Sequence, residues 1–334
     1  MKGIIITMLL ISAFLGGHLQ AEDLKWDLPF LVKMNDKILE QQTKEWKNVP
    51  LSQIQKAAVQ GDVNAQFILG LKYNNSVGYG NRAQDWLNKA AEQYSIIAKQ
   101  GNARAQFILG WMYENRLIFA ANGVEQGLQT EAWYLKASEQ GYADALFKLG
   151  FIYSQKDYED EHEQAAVWFS KAAEQYRKYA AQGDADSELK LALMYTGGLG
   201  VAQDFGQAVT LYRKQADQGL ADGQNRLGVM YLKGLGVKQD AIQAIALFHK
   251  AAEQGHAEAQ RNLGFIYLGE LDDYGVQRDY KLAYTWLLVA EANGGGNGEV
   301  STIREGLERS LPPDVLDAGA ELAKEYHEKY QPMQ

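Results

Sequence analysis

Small and apolar residues recur along the chain with the spacing of an amphipathic helix, and the whole pattern repeats six times. Each copy opens with a Gln-Gly pair and continues with a helical stripe of alanine, leucine, glycine and tyrosine. The copies read QGDVNAQFILGLKY, QGNARAQFILGWMY, QGYADALFKLGFIY, QGDADSELKLALMY, QGLADGQNRLGVMY and QGHAEAQRNLGFIY. Their anchoring glycines are Gly61, Gly101, Gly141, Gly183, Gly219 and Gly255. Successive spacings of 40, 40, 42, 36 and 36 residues indicate a repeat protein.

The second half of each copy predicts another amphipathic helix, as in residues 132–141 and 244–255. The glycine that ends this helix suits a left-handed C-cap, and glycine-rich turns such as GLGV at 234–237 join the two halves. One such helical hairpin cannot bury its apolar face alone, whereas stacked neighbours bury it together. The pattern therefore predicts an all-α protein, a right-handed α-solenoid of six to seven helix-turn-helix repeats, with an eroded seventh copy near Asn293 and Gly294.

The LG-x-x-Y core, the KAAEQG helix end and the GLGV turn together resemble the Sel1-like repeat family, a relative of the tetratricopeptide repeats. The 36-residue period of the later copies fits Sel1-like repeats better than the 34 residues of tetratricopeptides. The resemblance covers roughly residues 51–292. It implies a protein-binding scaffold. Exported members of the family include envelope-signalling regulators, host-contact factors and immunity proteins that neutralise antibacterial lipase effectors of type VI secretion.

Two departures from the family pattern carry predictions. The segments KAAEQYSIIAKQG at 89–101 and KAAEQYRKYAAQG at 171–183 each insert seven residues before the closing glycine. Seven residues are two helical turns, so these helices should lengthen without changing the face that they bury. Residues 114–130 read as a long loop with an apolar Leu117-Ile118-Phe119, which we expect to tuck under the solenoid rather than contact a partner.

The N-terminal residues predict export. Lys2 precedes the apolar run Ile4–Leu15, and Leu19 and Ala21 make an acceptable cleavage site, so residues 1–21 read as a signal peptide. About twelve apolar residues are too few for a membrane-spanning helix, and no second long apolar run follows, so the mature chain is expected to have no integral membrane segment and to be periplasmic. The expected order is then N-terminal capping helices at 22–60, repeats at 61–292, and a degenerate repeat with a capping helix at 293–334. The pair Pro312-Pro313 predicts where that last helix starts.

Charge and composition argue against several classes of function. The 334 residues carry a net charge of −9 and contain no Lys/Arg-rich run, so a nucleic-acid partner is not expected. The chain has no cysteine, which excludes disulfides and thiolate metal sites. Its histidines form no metal-ligand spacing, and no P-loop or G-x-S-x-G motif occurs. We therefore expect no metal, no cofactor and no catalytic residue.

One alternative from a different class remains. Ser187 and Lys190 match the S-x-x-K spacing of penicillin-interacting hydrolases. Ser187, however, replaces the buried small residue of its repeat, and no S-D-N or K-T-G motif accompanies it. The prediction is a chain that is not an enzyme.

The binding surface is expected on a second stripe of each first helix, at positions three, seven and ten after the anchoring glycine. In a tetratricopeptide-like arrangement this stripe would line the concave face. Its ten-position column is apolar in every copy, and its seven-position column is cationic in the middle copies, a layout typical of protein-binding hot spots. The predicted partner-binding residues are Ile68, Leu71, Arg104, Ile108, Trp111, Lys148, Phe151, Lys190, Leu193, Arg226 and Phe265.

Packing between neighbouring first helices is the competing interpretation of this stripe. Trp111 is the preferred contact, because it stands beside Ile108 and close in sequence to the apolar segment 117–119. The sequence assigns Ala105, Leu109, Gly110 and Tyr113 to the repeat core, and Ile108 and Trp111 are left without a core role. The expected partner is a protein, with a secreted phospholipase effector as the most specific version.

Overall fold

The structure is a computed structural model that describes residues 46, 49–74, 80–119, 122–155, 159–270, 276–296 and 298–330. The predicted signal peptide at 1–21 lies outside the described residues, as does most of the predicted capping region at 22–60. The chain forms two compact units. The N-terminal unit contains the described residues up to Lys190 together with 198–203, and the C-terminal unit contains Leu191–Gly197 and the residues from Asp204 onward.

The described residues form α-helices and no strand, as the periodicity predicts. In chain order the helices are α1 Leu51–Val59, α2 Val63–Asn74, α3 Gly80–Lys99, α4 Ala103–Glu114, α5 Gly123–Ser138, α6 Ala143–Ser154, α7 Glu159–Ala181, α8 Ala185–Gly197, α9 Phe205–Asp217, α10 Ala221–Lys233, α11 Ala241–Ala252, α12 Ala257–Phe265, α13 Tyr280–Ala292, α14 Gly298–Ser310 and α15 Pro313–Lys329. A π-helical turn, Ile266–Glu270, continues α12. The even-numbered helices from α2 to α12 are the first helices of six hairpins, and the odd-numbered helices from α3 to α13 are the second helices of the same hairpins.

The glycine of the LG-x-x-Y core sets the close approach of the two helices in a hairpin. A Cβ added at Gly110 of α4 would lie 2.7 Å from the ring of Tyr134 on α5. In the C-terminal unit, a Cβ added at Gly228 of α10 would lie 2.8 Å from the ring of Phe248 on α11. Both distances are shorter than a real carbon–carbon contact, so glycine is needed for the large ring of the second helix to fit.

Each anchoring glycine ends a second helix in the left-handed conformation. The six values of φ lie between 74° at Gly141 and 95° at Gly61, and Gly294 of the eroded seventh copy has φ 85°. The predicted left-handed C-caps are therefore confirmed, and glycine is favoured there because it has no Cβ to clash.

Glutamine side chains link consecutive hairpins. Gln106 of α4 donates to the carbonyl of Ala98, 3.0 Å away, and accepts from Gln140 at the end of the following second helix at 2.8 Å. In the C-terminal unit, Gln260 donates to the carbonyl of Ala252 and accepts from Asn293, both at 3.0 Å. These bonds satisfy buried amides and carbonyls at the joint between repeats. They explain the recurring glutamine of AQF and EQG, which hydrophobic periodicity alone does not account for.

The two insertions lengthen α3 to 20 residues and α7 to 23, whereas α9 and α11 have 13 and 12. In α3 the buried residues keep one helical spacing through the insertion, namely Ala83, Leu87, Ala90, Tyr94 and Ala98. The prediction that the insertions extend the helices without changing the buried face is confirmed for α3.

The last helix covers the final hairpin of the C-terminal unit. Pro312 precedes α15 and Pro313 is its first residue, as the Pro-Pro pair predicts. Tyr326 and Tyr330 lie against Trp286 of α13, with ring centroids 4.9 and 6.4 Å away. Trp286 is only 2 % exposed, so α15 closes the core of this unit.

Candidate protein-binding surface

Most of the predicted partner-binding side chains take part in the core. Seven of the eleven are buried, namely Ile68, Ile108, Trp111, Lys148, Lys190, Leu193 and Phe265. The other four are half-buried, namely Leu71, Arg104, Phe151 and Arg226. A first helix packs against the second helix of its own hairpin and against that of the preceding one, so little of its circumference stays open.

Trp111 lies inside the N-terminal unit. Its side chain is 7 % exposed and packs edge-on against Phe67 of α2, with ring centroids 5.9 Å apart and planes at 90°. Ile108 is 2 % exposed in the same cluster. The expectation that these two residues have no role in the repeat core is wrong, because the first helices of neighbouring hairpins approach closely enough for the ten-position ring to fill the space between them.

Phe265 is buried for a different reason. It packs in one cluster with Val300, Ile303 and Leu307, the apolar face of α14. A helix from the same chain thus covers the ten position in the last copy. Sequence reasoning missed this contact because α14 lies beyond the recognisable repeats.

The cation at position seven of the third copy belongs to a buried ion pair. Lys148 has no exposed surface, and its Nζ lies 2.7 Å from Oε2 of Glu114, the last residue of α4. The hydroxyl of Tyr134 donates to the same oxygen at 2.7 Å. Burial, reinforced by the Glu114 carboxylate, raises the pKa of Tyr134 well above its usual value. Lys148 therefore joins two repeats and is not available at a surface.

Lys190 of the fourth copy is held by two carboxylates. Its Nζ lies 2.7 Å from Oδ1 of Asp144 and 2.8 Å from Oδ2 of Asp186. Burial works to lower the pKa of Lys190, but the two carboxylates outweigh it and raise that pKa above the ordinary lysine value. The hydroxyl of Tyr176 donates to Asp144 at 2.7 Å, and burial followed by Asp144 raises the pKa of Tyr176. The cation at position seven of this copy is thus paired with the aspartates at position three of its own copy and of the preceding one.

The Ser187 and Lys190 pair does not have the geometry of a nucleophile and its base. The hydroxyl of Ser187 donates to Oδ2 of Asp184, which also accepts from the Ser187 backbone amide. Lys190 is a firmly protonated partner of Asp144 and Asp186, whereas a general base must be free to take a proton. Both residues are almost completely buried, at 4 % and 3 % exposed. Their arrangement explains the S-x-x-K spacing as part of a helix start and an ion pair.

A different arrangement occupies the same positions in the C-terminal unit. Arg226 of α10 approaches Glu258 of α12, with Nη2 3.4 Å from Oε2, and Arg261 approaches the other oxygen at 3.5 Å. The three side chains are 20–23 % exposed. Asn225 donates to Glu258 at 3.3 Å and accepts from Asn262 at 3.0 Å. This cluster reaches solvent, and the sequence had pointed to Arg226 but not to Arg261.

The apolar loop after α4 is fixed in place. Leu117 and Ile118 are buried at 8 % and 7 % exposed, which confirms the predicted tucking of these two residues. Gln84 donates to the carbonyl of Leu117 at 2.9 Å, and Gln126 donates to that of Ile118 at 2.8 Å. Arg116 has φ 55°, a left-handed conformation that is costly for a residue with a side chain. Two glutamines therefore hold the backbone of residues 117 and 118 in place.

The loop is shorter than the sequence indicated. Residues 114–130 were expected to be irregular, but α4 ends at Glu114 and α5 begins at Gly123. Asn122 caps α5, since its side chain accepts from the amide of Glu125 at 2.9 Å. The apolar residues after the loop therefore lie on a helix.

Three large apolar side chains stay exposed in this stretch. Phe119 is 70 % exposed, Val124 75 % and Leu128 62 %. Val124 and Leu128 are one turn apart on α5, so they share a face. We call Phe119, Val124 and Leu128 the loop patch. The expectation that the whole apolar segment 117–119 tucks inward is wrong for Phe119, since its side chain extends into solvent.

A tryptophan with a lysine three residues later recurs on three second helices of the N-terminal unit. The lysine Nζ lies over the ring at 4.5 Å in Trp86–Lys89, 4.3 Å in Trp133–Lys136 and 4.6 Å in Trp168–Lys171. The W-x-x-K spacing in the sequence would have revealed these cation–π pairs. Each lysine covers a ring that is only partly buried, so these tryptophans are less accessible than the loop patch.

Two further properties concern the described residues only. They contain no group of three or more His, Asp or Glu side chains arranged to hold a metal ion. None of their helices combines the length and the apolar character needed to cross a membrane.

Helical hairpins repeated in tandem along the chain define an all-α solenoid of the class that serves as an interaction scaffold. The Sel1 repeat model matches residues 63–95, 103–142, 143–176, 185–220, 221–256 and 257–295. The chain belongs to the Sel1 repeat family. Proteins of this family are generally protein-interaction scaffolds and typically non-catalytic.

Solved structures of the same family resemble the chain. One is c5321, a protective antigen present in uropathogenic Escherichia coli strains and displaying an SLR fold. It is 32% identical with a TM-score of 0.52, and the match covers 84% of this chain and 64% of c5321. Another is a Sel1 repeat protein from Oxalobacter formigenes, 28% identical with a TM-score of 0.46, over 76% of this chain and 94% of that one. No curated protein matches the chain.

Proposed function

We propose that this protein is a non-catalytic scaffold that binds a protein partner through the loop patch of its N-terminal unit. The observation that carries the proposal is the exposure of the loop patch, in which Phe119 directly follows two residues held by Gln84 and Gln126 and the other two members lie on α5. Ordered apolar side chains in water favour association, since a partner removes them from solvent without a large cost of ordering. Membership in a family of interaction scaffolds supports the same conclusion.

We propose that the protein binds its partner outside the cytoplasm. The pattern of Lys2, the apolar run Ile4–Leu15 and Ala21 supports export to the periplasm of a Gram-negative bacterium. The most specific version of the proposal is an immunity protein that neutralises a lipase-type effector, because blocking a toxin requires affinity and no chemistry. Fusing residues 1–21 to a reporter enzyme that is active only after export tests the location, and an inactive fusion would contradict it.

The relative c5321 favours a second candidate role. c5321 is described as a protective antigen of uropathogenic strains. A chain that is 32% identical to it could meet a host molecule instead of a bacterial toxin, as envelope-exposed scaffolds do. The identity of the captured partner separates these roles, because a toxin and a host protein come from different extracts.

The test uses the whole protein as bait. A triple variant, Phe119→Ser with Val124→Ser and Leu128→Ser, should weaken binding of a partner captured from the envelope fraction by about 30-fold or more. A matched control replaces three equally exposed apolar residues outside the patch, Val59, Ile96 and Ile242, with serine. Binding by the patch variant at the strength of the control variant would overturn the assignment. For the immunity role, the captured effector must also lose its lipase activity when the unmodified protein is added.

A further inference from the structure

Three exposed lysines of the N-terminal unit are held over tryptophan rings and form no ion pair with a described residue. They belong to the W-x-x-K pairs described above, and a glutamate follows each of them three residues later, yet each Nζ lies over its ring. A cation already held in place loses little further freedom when it binds an anion. We call these pairs the lysine–tryptophan row, namely Trp86–Lys89, Trp133–Lys136 and Trp168–Lys171.

The second helix of a hairpin does not need a tryptophan at this position. In α9 and α11 the lysine is kept, at Lys214 and Lys250, but leucine stands in place of tryptophan, at Leu211 and Leu247. Both segments still form regular helices of 13 and 12 residues. Because leucine suffices for the packing of the hairpin, the partly exposed indoles of the N-terminal unit point to a contact with another molecule.

A surface of opposite charge lies on α15 of the C-terminal unit. The buried side of this helix carries Gly319 and Ala323. On the opposite side, five carboxylates follow one another at spacings of three or four residues, so they share one face. All five are exposed, and none forms an ion pair with a described residue. We call them the acidic stripe, namely Asp314, Asp317, Glu321, Glu325 and Glu328.

The lysine–tryptophan row and the acidic stripe also agree in length. At 1.5 Å per residue the acidic stripe is roughly 21 Å long from its first to its last carboxylate. Stacked hairpins lie about one helix diameter apart, so the lysines of three successive hairpins extend over roughly 20 Å. The net charge of −9 opposes association of two copies, so any attraction between them has to come from local surfaces of opposite charge.

We propose that the acidic stripe of one copy of this protein binds the lysine–tryptophan row of a second copy. The carboxylates accept from the ammonium groups, and the aliphatic stems of the glutamates cover the exposed edges of the indoles. Because the contact joins two different surfaces, each copy keeps one of each for a further neighbour, and the assembly grows or closes into a ring. Neither surface includes a residue of the loop patch, so this inference and the proposed function fail independently.

The first experiment is sedimentation velocity of the full-length protein over a range of concentrations at low ionic strength. The average mass should rise with concentration. Raising the salt from about 50 to 500 mM should weaken the association about tenfold, because exposed ion pairs are screened. A protein that stays monomeric at every concentration would overturn the inference.

The second experiment reverses the charge of the lysine–tryptophan row. A row variant, with Lys89→Glu, Lys136→Glu and Lys171→Glu, should weaken the association about tenfold or more. The matched control reverses three other exposed lysines on second helices or the opening helix of the same unit and should weaken it by less than about threefold. Its changes are Lys56→Glu, Lys99→Glu and Lys178→Glu. Equal weakening by both variants would show general charge repulsion and overturn the assignment of the row.

The third experiment pairs the row variant with a stripe variant, Asp317→Lys with Glu321→Lys and Glu325→Lys. Each variant alone should be monomeric, since its two surfaces carry the same sign of charge. Their mixture should associate, because the acidic row of one variant meets the basic stripe of the other. Circular dichroism before mixing shows that both variants keep their helix content. Two folded variants that stay monomeric when mixed would overturn the proposal.

Discussion

Charged side chains at equivalent repeat positions differ in burial and in pairing between the two units. In the N-terminal unit, Lys148 and Lys190 are buried and paired with carboxylates at 2.7 Å. In the C-terminal unit, the side chain of Arg226 is 23 % exposed, and its Nη2 lies 3.4 Å from Oε2 of Glu258. All three residues stand seven places after an anchoring glycine.

This difference shows that repeat position alone does not fix the role of a charge. A lysine whose Nζ ends beside two aspartates becomes part of the core, because a buried ion needs close partners to remain charged. Arg226, by contrast, meets the Glu258 carboxylate at a longer distance and stays partly exposed to water, so its charge depends less on that contact. Three sets of variants, ordered from the largest expected effect to the smallest, test or refine the comparison.

The largest effect is expected at Lys190. Lys190→Met removes the cation between Asp144 and Asp186 and should lower the free energy of unfolding by about 3–5 kcal/mol, because it leaves carboxylates uncompensated in the core. Arg226→Met, the equivalent change in the C-terminal unit, should cost about 1 kcal/mol or less. Urea unfolding followed by circular dichroism measures both. Equal losses in the free energy of unfolding would contradict the view that Lys190 belongs to the core and Arg226 does not.

A change at the core glycines should affect both units alike. Gly110→Ala and Gly228→Ala each place a methyl group within 2.8 Å of a ring on the facing helix and should destabilise by about 1–3 kcal/mol. Gly127→Ala lies on α5, where no atom falls within 4 Å of the new Cβ, and should be neutral or slightly stabilising. Thermal unfolding of the three variants checks this. A large difference between Gly110 and Gly228 would show that the hairpins of the two units are not packed alike.

The smallest effect is a pH dependence confined to the C-terminal unit. Burial lowers the pKa of His249 from 6.5, with Glu253 opposing, and its Nε2 lies 3.2 Å from the hydroxyl of Tyr267. Because the unfolded chain binds the proton first, stability is full above about pH 6.5 and falls as the pH drops towards the folded pKa. His249→Gln should flatten this decline in the urea midpoint between pH 7.5 and 5.5. The exposed His162 of the N-terminal unit provides the control, and a decline that persists in the His249 variant but disappears in His162→Gln would contradict the assignment.

Most of the fold was predictable because it depends on local, repeated signals. The anchoring glycines predicted the left-handed helix ends, and Gly294 extended that pattern to the eroded copy. The seven-residue insertions predicted the longer α3 and α7, since seven residues preserve helical phase. The Pro-Pro pair predicted the start of α15. Each of these residue patterns determines the backbone conformation of residues only a few positions away in the sequence.

The candidate surface was less predictable, because exposure depends on what packs against each helix. Trp111 and Ile108 looked free once the repeat core was assigned, yet Phe67 of the neighbouring hairpin meets the tryptophan. Phe265 is covered by α14, a helix that the repeat pattern does not predict. Phe119 was expected to tuck inward with its two neighbours but extends into solvent. Periodicity identifies a face of a helix, and it does not say which element covers that face.

By itself the sequence determined that this protein is an all-α stack of Sel1 repeats with glycine-capped hairpins, since the identity and spacing of residues in each copy suffice for that. Only the tertiary structure decided which polar columns pair across hairpins and which side chains remain at the surface. The physical reason is the distance along the sequence over which each interaction acts. Helix periodicity and capping are set by neighbours in the chain, whereas the burial of Lys190 depends on Asp144, 46 residues away.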